Sequence, residues 1–123
     1  DVEGAVWHNG KVYLFTRDRA DHRLSTIYSL AADGPAQQKA TRIGELQLDN
    51  EVTDAAIRPD GRQLVLLGRD RLFVCDVSGE FVPKLVRTIS LGRVGQAEGA
   101  VYVDEGRVAI VNEKGKLYSV ELR

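Results

Sequence analysis

Val2-Glu3-Gly4-Ala5-Val6, Val52-Thr53-Asp54-Ala55-Ala56-Ile57 and Ala97-Glu98-Gly99-Ala100-Val101 are three versions of one phrase, and each runs into a Gly-containing turn and a strand-like apolar run. Glu3, Thr53 and Glu98 stand at equivalent places, 50 and then 45 residues apart. Recurrence at such a period governs architecture ahead of local propensity. Each copy is one supersecondary unit that buries its apolar face only against a neighbour.

Reading outward from each phrase, apolar residues alternate with polar ones over short runs bounded by turn residues, the pattern of half-buried strands. The first unit, 1–50, predicts strands at 3–7, 11–16, 24–31 and 41–48, the first pair joined by Asn9-Gly10. The second, 51–95, predicts strands at 53–57, 63–67, 72–77 and 84–91, with Pro59-Asp60-Gly61 turning the first pair. The third, 96–123, offers 98–103, 107–111 and 116–122, and so lacks a fourth strand. A helical reading fails because the apolar segments are short and rich in β-branched and aromatic residues. Residues 35–40, with Pro35 followed by Ala, Gln and Lys, could form at most one helical turn and are read as loop.

Four antiparallel strands at this spacing make a β-propeller blade, so the predicted fold is all-β, with two full blades and an incomplete third. Rings of blades usually close with about four to eight members. This chain is therefore expected to supply half of a six-bladed ring, completed by a second copy or by further chain. A flatter sandwich is the alternative.

With 17 Lys and Arg against 18 Asp and Glu, no net field draws the chain to nucleic acid or to an anionic membrane. Its apolar runs fall far short of the roughly 20 residues of a spanning helix. The start at Asp1, without Met or a signal peptide, reads as a processed product, a designed piece or a fragment. Cys75 has no second Cys to pair with and is read as a buried thiol inside a strand.

Several stretches together resemble the carboxy-terminal half of a family of bacterial propellers related to the SdiA-regulated and esterase-like phytase groups. They are Val2-Glu3-Gly4 leading to Gly10-Lys11-Val12-Tyr13-Leu14-Phe15-Thr16, then Ser25-Thr26-Ile27-Tyr28-Ser29-Leu30, then 52–61, and finally Gln96-Ala97-Glu98-Gly99 leading to Asn112-Glu113 and Leu117-Tyr118. The resemblance implies a secreted or periplasmic protein and, in some members, Ca²⁺ binding or phosphate-ester hydrolysis. Two departures stand out: the amino-terminal half is missing, and Thr53 replaces the Glu of its sibling units.

Antiparallel pairing sets the start of each first strand against the end of the second, so the leading acids are expected at one channel mouth. Glu3, Asp18, Glu98, Asn112 and Glu113 supply oxygens that a hard cation such as Ca²⁺ takes six to eight of. The competing reading has Glu3 and Glu98 bonded to backbone N–H groups or paired with Arg17 and nearby Lys. The loop Arg17-Asp18-Arg19-Ala20-Asp21-His22-Arg23 could hold a phosphate or carboxylate through Arg17, or simply be solvated. Tyr102, on a channel-lining strand, is a candidate ligand contact. Trp7, Tyr13, Phe15, Tyr28, Phe73 and Tyr118 are expected to fill the space between blades. Neither His8 nor His22 has the neighbours of a zinc set.

No nucleophile elbow, phosphate-binding Gly loop or metalloprotease helix occurs in the sequence. The expectation is a non-enzymatic binding module, a half ring that associates through open blade faces and takes a metal or small ligand at its mouth. The alternatives are a Ca²⁺-dependent phosphoesterase like the phytase-related propellers, and an engineered half propeller whose one activity is self-association.

Overall fold

The computed structural model describes every residue except Arg19, His22 and Arg123. Among the described residues there is no helix, and eleven strands follow one another: β1 (Val2–His8), β2 (Lys11–Thr16), β3 (Leu24–Ala31), β4 (Thr41–Gln47), β5 (Asp54–Ile57), β6 (Gln63–Leu67), β7 (Arg71–Ser78), β8 (Val82–Ser90), β9 (Ala97–Asp104), β10 (Arg107–Asn112) and β11 (Leu117–Glu121). They make three antiparallel meanders in the orders β1-β2-β3-β4, β5-β6-β7-β8 and β9-β10-β11. The strand-rich reading holds and residues 35–40 are irregular. The third sheet ends one strand short of the other two.

Local sequence fixes the registers. Asn9 and Gly10 have φ of 50° and 77°, both positive, and form a two-residue turn between His8 and Lys11, which pair directly. Such turns match the right-handed twist of the flanking strands, and Asn-Gly tolerates the required backbone at least cost. In the second sheet Arg58 N donates to Gln63 O and Gly61 N to Arg58 O, so the Pro59-Asp60-Gly61 turn sets Ile57 opposite Leu64.

The second sheet is apolar on both faces, which is why Gln63–Leu67 reads as a nearly unbroken apolar run. Successive side chains point to opposite faces of a strand. Leu64 and Leu66 accordingly join Val6, Tyr13, Phe15, Ile27 and Phe73 in a core shared with the first sheet. Val65 and Leu67 join Leu72, Val74, Val108 and Ile110 in a core shared with the third. Phe81 closes the first core by stacking on Tyr13 with ring centroids 3.7 Å apart. Cys75 is fully buried there, as its strand setting implies.

The three sheets stand side by side like vanes. β5 lies between β1 and β9, and the first strands approach one another far more closely than the outer strands β4 and β8 do. The outward faces of the end sheets are uncovered. On the first sheet this face pairs Ala5 with Leu14 and Trp7 with Val12 across the β1–β2 ladder. On the third it pairs Val101 with Ala109 and Val111 with Leu117.

Trp7 corrects the expectation that it packs between sheets. Val6 faces the second sheet, so its neighbour must face away, and Trp7 is 63% exposed. Tyr28, directly opposite Leu14 and next to the core residue Ile27, lies on the same outer face, whereas Tyr13, Phe15, Phe73 and Tyr118 do pack between sheets.

Candidate functional site

The innermost strands converge because their residues are small. A Cβ on Gly4 would stand 2.8 Å from Ala55 Cβ and 2.8 Å from Ala55 N, closer than unstrained atoms come. At the same place in the second sheet Asp54 bridges the gap instead, its Oδ2 accepting the Ala100 N–H at 2.9 Å. Thr53 Oγ1 lies 3.2 Å from Leu67 O and 3.1 Å from Ala97 O, so its single proton serves both carbonyls and ties the second sheet to the third. Ala5, Ala55, Ala56, Ala100, Ile57 and Tyr102 are among the residues lining a concavity of about 310 Å³ along these strands.

The ends of the strands meet as antiparallel geometry requires. Val2 opposes Thr16, Asp54 opposes Leu67, and Ala97 opposes Asn112. What gathers on that rim is a set of ion pairs. Arg17 lies between Glu3 at 3.4 Å and Glu51 at 3.5 Å, and Arg69 approaches Glu51 at 3.2 Å. Guanidinium groups thus separate the carboxylates of the first two sheets, relieving the repulsion that would otherwise favour a cation there. Further along, Arg71 reaches both Asp49 at 2.8 Å and Asp70 at 2.9 Å, and it holds the Asp70 carboxyl below the usual carboxylate range.

The other acidic candidates have separate engagements. Asp18 Oδ1 accepts from Ala20 N at 2.8 Å and Asp21 N at 3.2 Å, shaping its own loop. Glu98 Oε1 accepts from Gln96 Nε2 at 2.8 Å. Asn112 is buried: its Nδ2 donates to Val94 O at 2.9 Å, and its Oδ1 accepts from Lys114 N at 3.0 Å and Lys116 N at 2.8 Å. Glu113 is exposed, with its backbone N–H donated to Gln96 O. Among the described residues no three His, Cys, Asp or Glu side chains are grouped to hold a metal ion. Among the described residues, the oxygens that Glu3, Asp18, Glu98, Asn112 and Glu113 are expected to offer a cation at the mouth are not gathered into one group. Arg19 and His22, part of the charged loop, lie outside the described residues.

Tyr102 turns toward the second sheet, donating its hydroxyl to Gln63 Oε1 at 3.0 Å. Burial raises its pKa well above the usual tyrosine value even though Arg58 works the other way. His8 caps the opposite rim, its ring so close over Gly61, where φ is 74°, that a Cβ there would collide with it. Sequence reasoning missed Glu51, Asp54 and Gln63, which join one sheet to the next. The substitution of Thr53 and Asp54 into a phrase that elsewhere reads Glu-Gly was the available signal.

Burial, and secondarily the Asp76 carboxylate, pushes the Cys75 thiol up to about 12 from 9.0. The folded state therefore keeps this proton while the unfolded chain releases it. Its stabilising contribution is complete below about pH 9 and is lost as pH rises toward about 12. Urea midpoints measured at rising alkaline pH should fall through that window, and less steeply in Cys75→Ala. Equal slopes in the two proteins would contradict this.

Neither a protein-family model nor a curated protein matches the chain. Among solved structures, a complex of KlAtg21 with the coiled-coil of AgAtg16 aligns with a TM-score of 0.61 at 17% identity, over 97% of this chain and 38% of that one. The matched structure is a β-propeller, and the likeness is one of fold. The chain spans about two fifths of the length of the chain it matches. No helix among the described residues is long and apolar enough to cross a membrane.

Proposed function

We propose that this chain is a non-enzymatic propeller interaction module, a half ring that closes by docking its two open sheet faces onto those of a second copy. The observation that carries the reading is the equivalence of covered and uncovered faces. Two internal interfaces bury apolar residues from both participating sheets. The same kind of face, with Trp7 63%, Val101 57% and Leu117 68% exposed, is left bare at each end. Exposed apolar surface of that kind marks an interaction site.

A second copy supplies the right partner for both ends at once. Placed head to tail about a two-fold axis, the third sheet of each copy covers the first sheet of the other, repeating the order found inside the chain. Two copies bring six sheets, within the roughly four to eight that close such rings.

Sedimentation velocity should return twice the 13.6 kDa chain mass. Trp7 is the sole tryptophan, so its emission should be that of a buried indole in the dimer. Val101→Asp together with Leu117→Asp, both at exposed positions, should leave the fold intact, halve the mass and return the emission to that of a solvated indole. A 13.6 kDa species at the highest soluble concentration, with Trp7 fully solvated, would refute the assembly.

A further inference from the structure

Away from the open faces, the loop before β9 and the turn between β10 and β11 enclose a concavity of about 230 Å³ whose lining includes Arg93, Lys114, Lys116, Glu113 and Tyr118. Its frame is built rather than incidental. The buried Asn112 amide stitches the two segments together, bonding Val94 O on one side and the Lys114 and Lys116 N–H groups on the other. Gly115, with φ of 79°, donates to Asn112 O and tightens the turn that sets the two lysines two residues apart.

Many of the arginines elsewhere in the chain are neutralised by a neighbouring carboxylate. Arg17, Arg58, Arg69, Arg71 and Arg107 each lie against a carboxylate. Among the described residues, Arg93, Lys114 and Lys116 have no carboxylate within ion-pair distance, and the lining includes one carboxylate, Glu113. Three exposed cations against a single acid give the lining a net positive charge that suits a compact dianion, with Lys ammonium groups as point charges and Arg as a planar donor.

We propose that this cleft is a binding site for a phosphate group, either free phosphate or a phosphate monoester. It needs no metal and no reaction. Tyr118, part-buried against the second core, also lines the cleft and gives the organic part of an ester an apolar edge to contact.

The probe is inorganic phosphate, titrated at constant ionic strength into the full chain at a pH well above its second pKa, which lies about one unit above the value of about 6 for a phosphate monoester, so that it is a dianion. Amide shifts should saturate as one site and centre on Gly95, Lys114, Gly115 and Lys116. Lys114→Gln with Lys116→Gln should weaken binding roughly tenfold, the scale of two charge-assisted contacts in partial exposure. Their role in the frame is through backbone N–H groups, so the fold survives this change. Lys39→Gln with Lys84→Gln removes the same charge elsewhere and should leave affinity unchanged. A phenyl phosphate that binds more tightly than phosphate would identify an ester as the ligand, and equal affinity would identify the free ion. Shifts that never saturate, or equal losses in both double variants, would overturn the site in favour of diffuse charge.

Discussion

Phe73→Ala is expected to lower unfolding stability by about 3–5 kcal/mol, the usual cost of emptying a large core site. Phe73 is fully buried on the face of β7 that meets the first sheet, in one cluster with Phe15, Leu66 and Cys75. Its loss removes the transfer free energy of the ring and leaves a cavity, because neighbours held in two different sheets cannot both move in to fill it. A domain of this size is stable by about 5–15 kcal/mol in all, so the variant should be partly unfolded under mild conditions. Leu117→Ala removes a large side chain from a position 68% exposed in the single chain and, compared in a background carrying Val101→Asp so that docking does not enter, should change stability by less than about 0.5 kcal/mol. Urea unfolding of both proteins checks the pair. A loss below about 1 kcal/mol at Phe73 would mean the first and second sheets do not share a core.

The positions of the strands could be read from sequence because the information is local. Period-two alternation and turn residues such as Asn9-Gly10 specify strand and register within a few neighbours. Convergence of the strand ends was legible for the same reason, since antiparallel pairing forces Val2 beside Thr16 and Ala97 beside Asn112. The partners of the side chains were not. Arg17 is shared by Glu3 on its own sheet and Glu51 on the approach to the next, and only the lateral spacing of the sheets decides the second contact. Trp7 shows the complementary limit: alternation places it opposite Val6, yet an end sheet looks like an inner one until its neighbours are counted. Asn112 reads as an oxygen donor in the sequence, whereas burial commits it to holding a turn.

Gly4→Val is the second large effect expected. Gly4 and Gly99 occupy the same position of the repeated phrase, opposite Phe15 and Val111 respectively, so propensity treats them alike. Their surroundings differ. Beyond a Cβ at Gly4 stand Ala55 Cβ, Ala55 N and the Asp54 carbonyl carbon, all within 3.0 Å, and two of these are backbone atoms fixed in a ladder. Beyond Gly99 the nearest atom is Asp54 Oδ2 at 3.9 Å, an ordinary contact. Valine at position 4 must therefore push β1 off β5 and open the core that Val6 and Ala55 share. Overpacking of that kind costs about 1–3 kcal/mol, and the γ-methyl groups add to it. Valine at position 99 meets no such obstacle in the single chain and gains strand propensity, so its stability should stay within about 0.5 kcal/mol of the parent. Thermal and urea unfolding of the two variants, made in a monomeric background carrying Val101→Asp and Leu117→Asp, separate packing from assembly. If both valines cost the same, the close approach of β1 to β5 is not what Gly4 serves, and the convergence of the inner strands must be held by the Asp54 and Thr53 bridges alone.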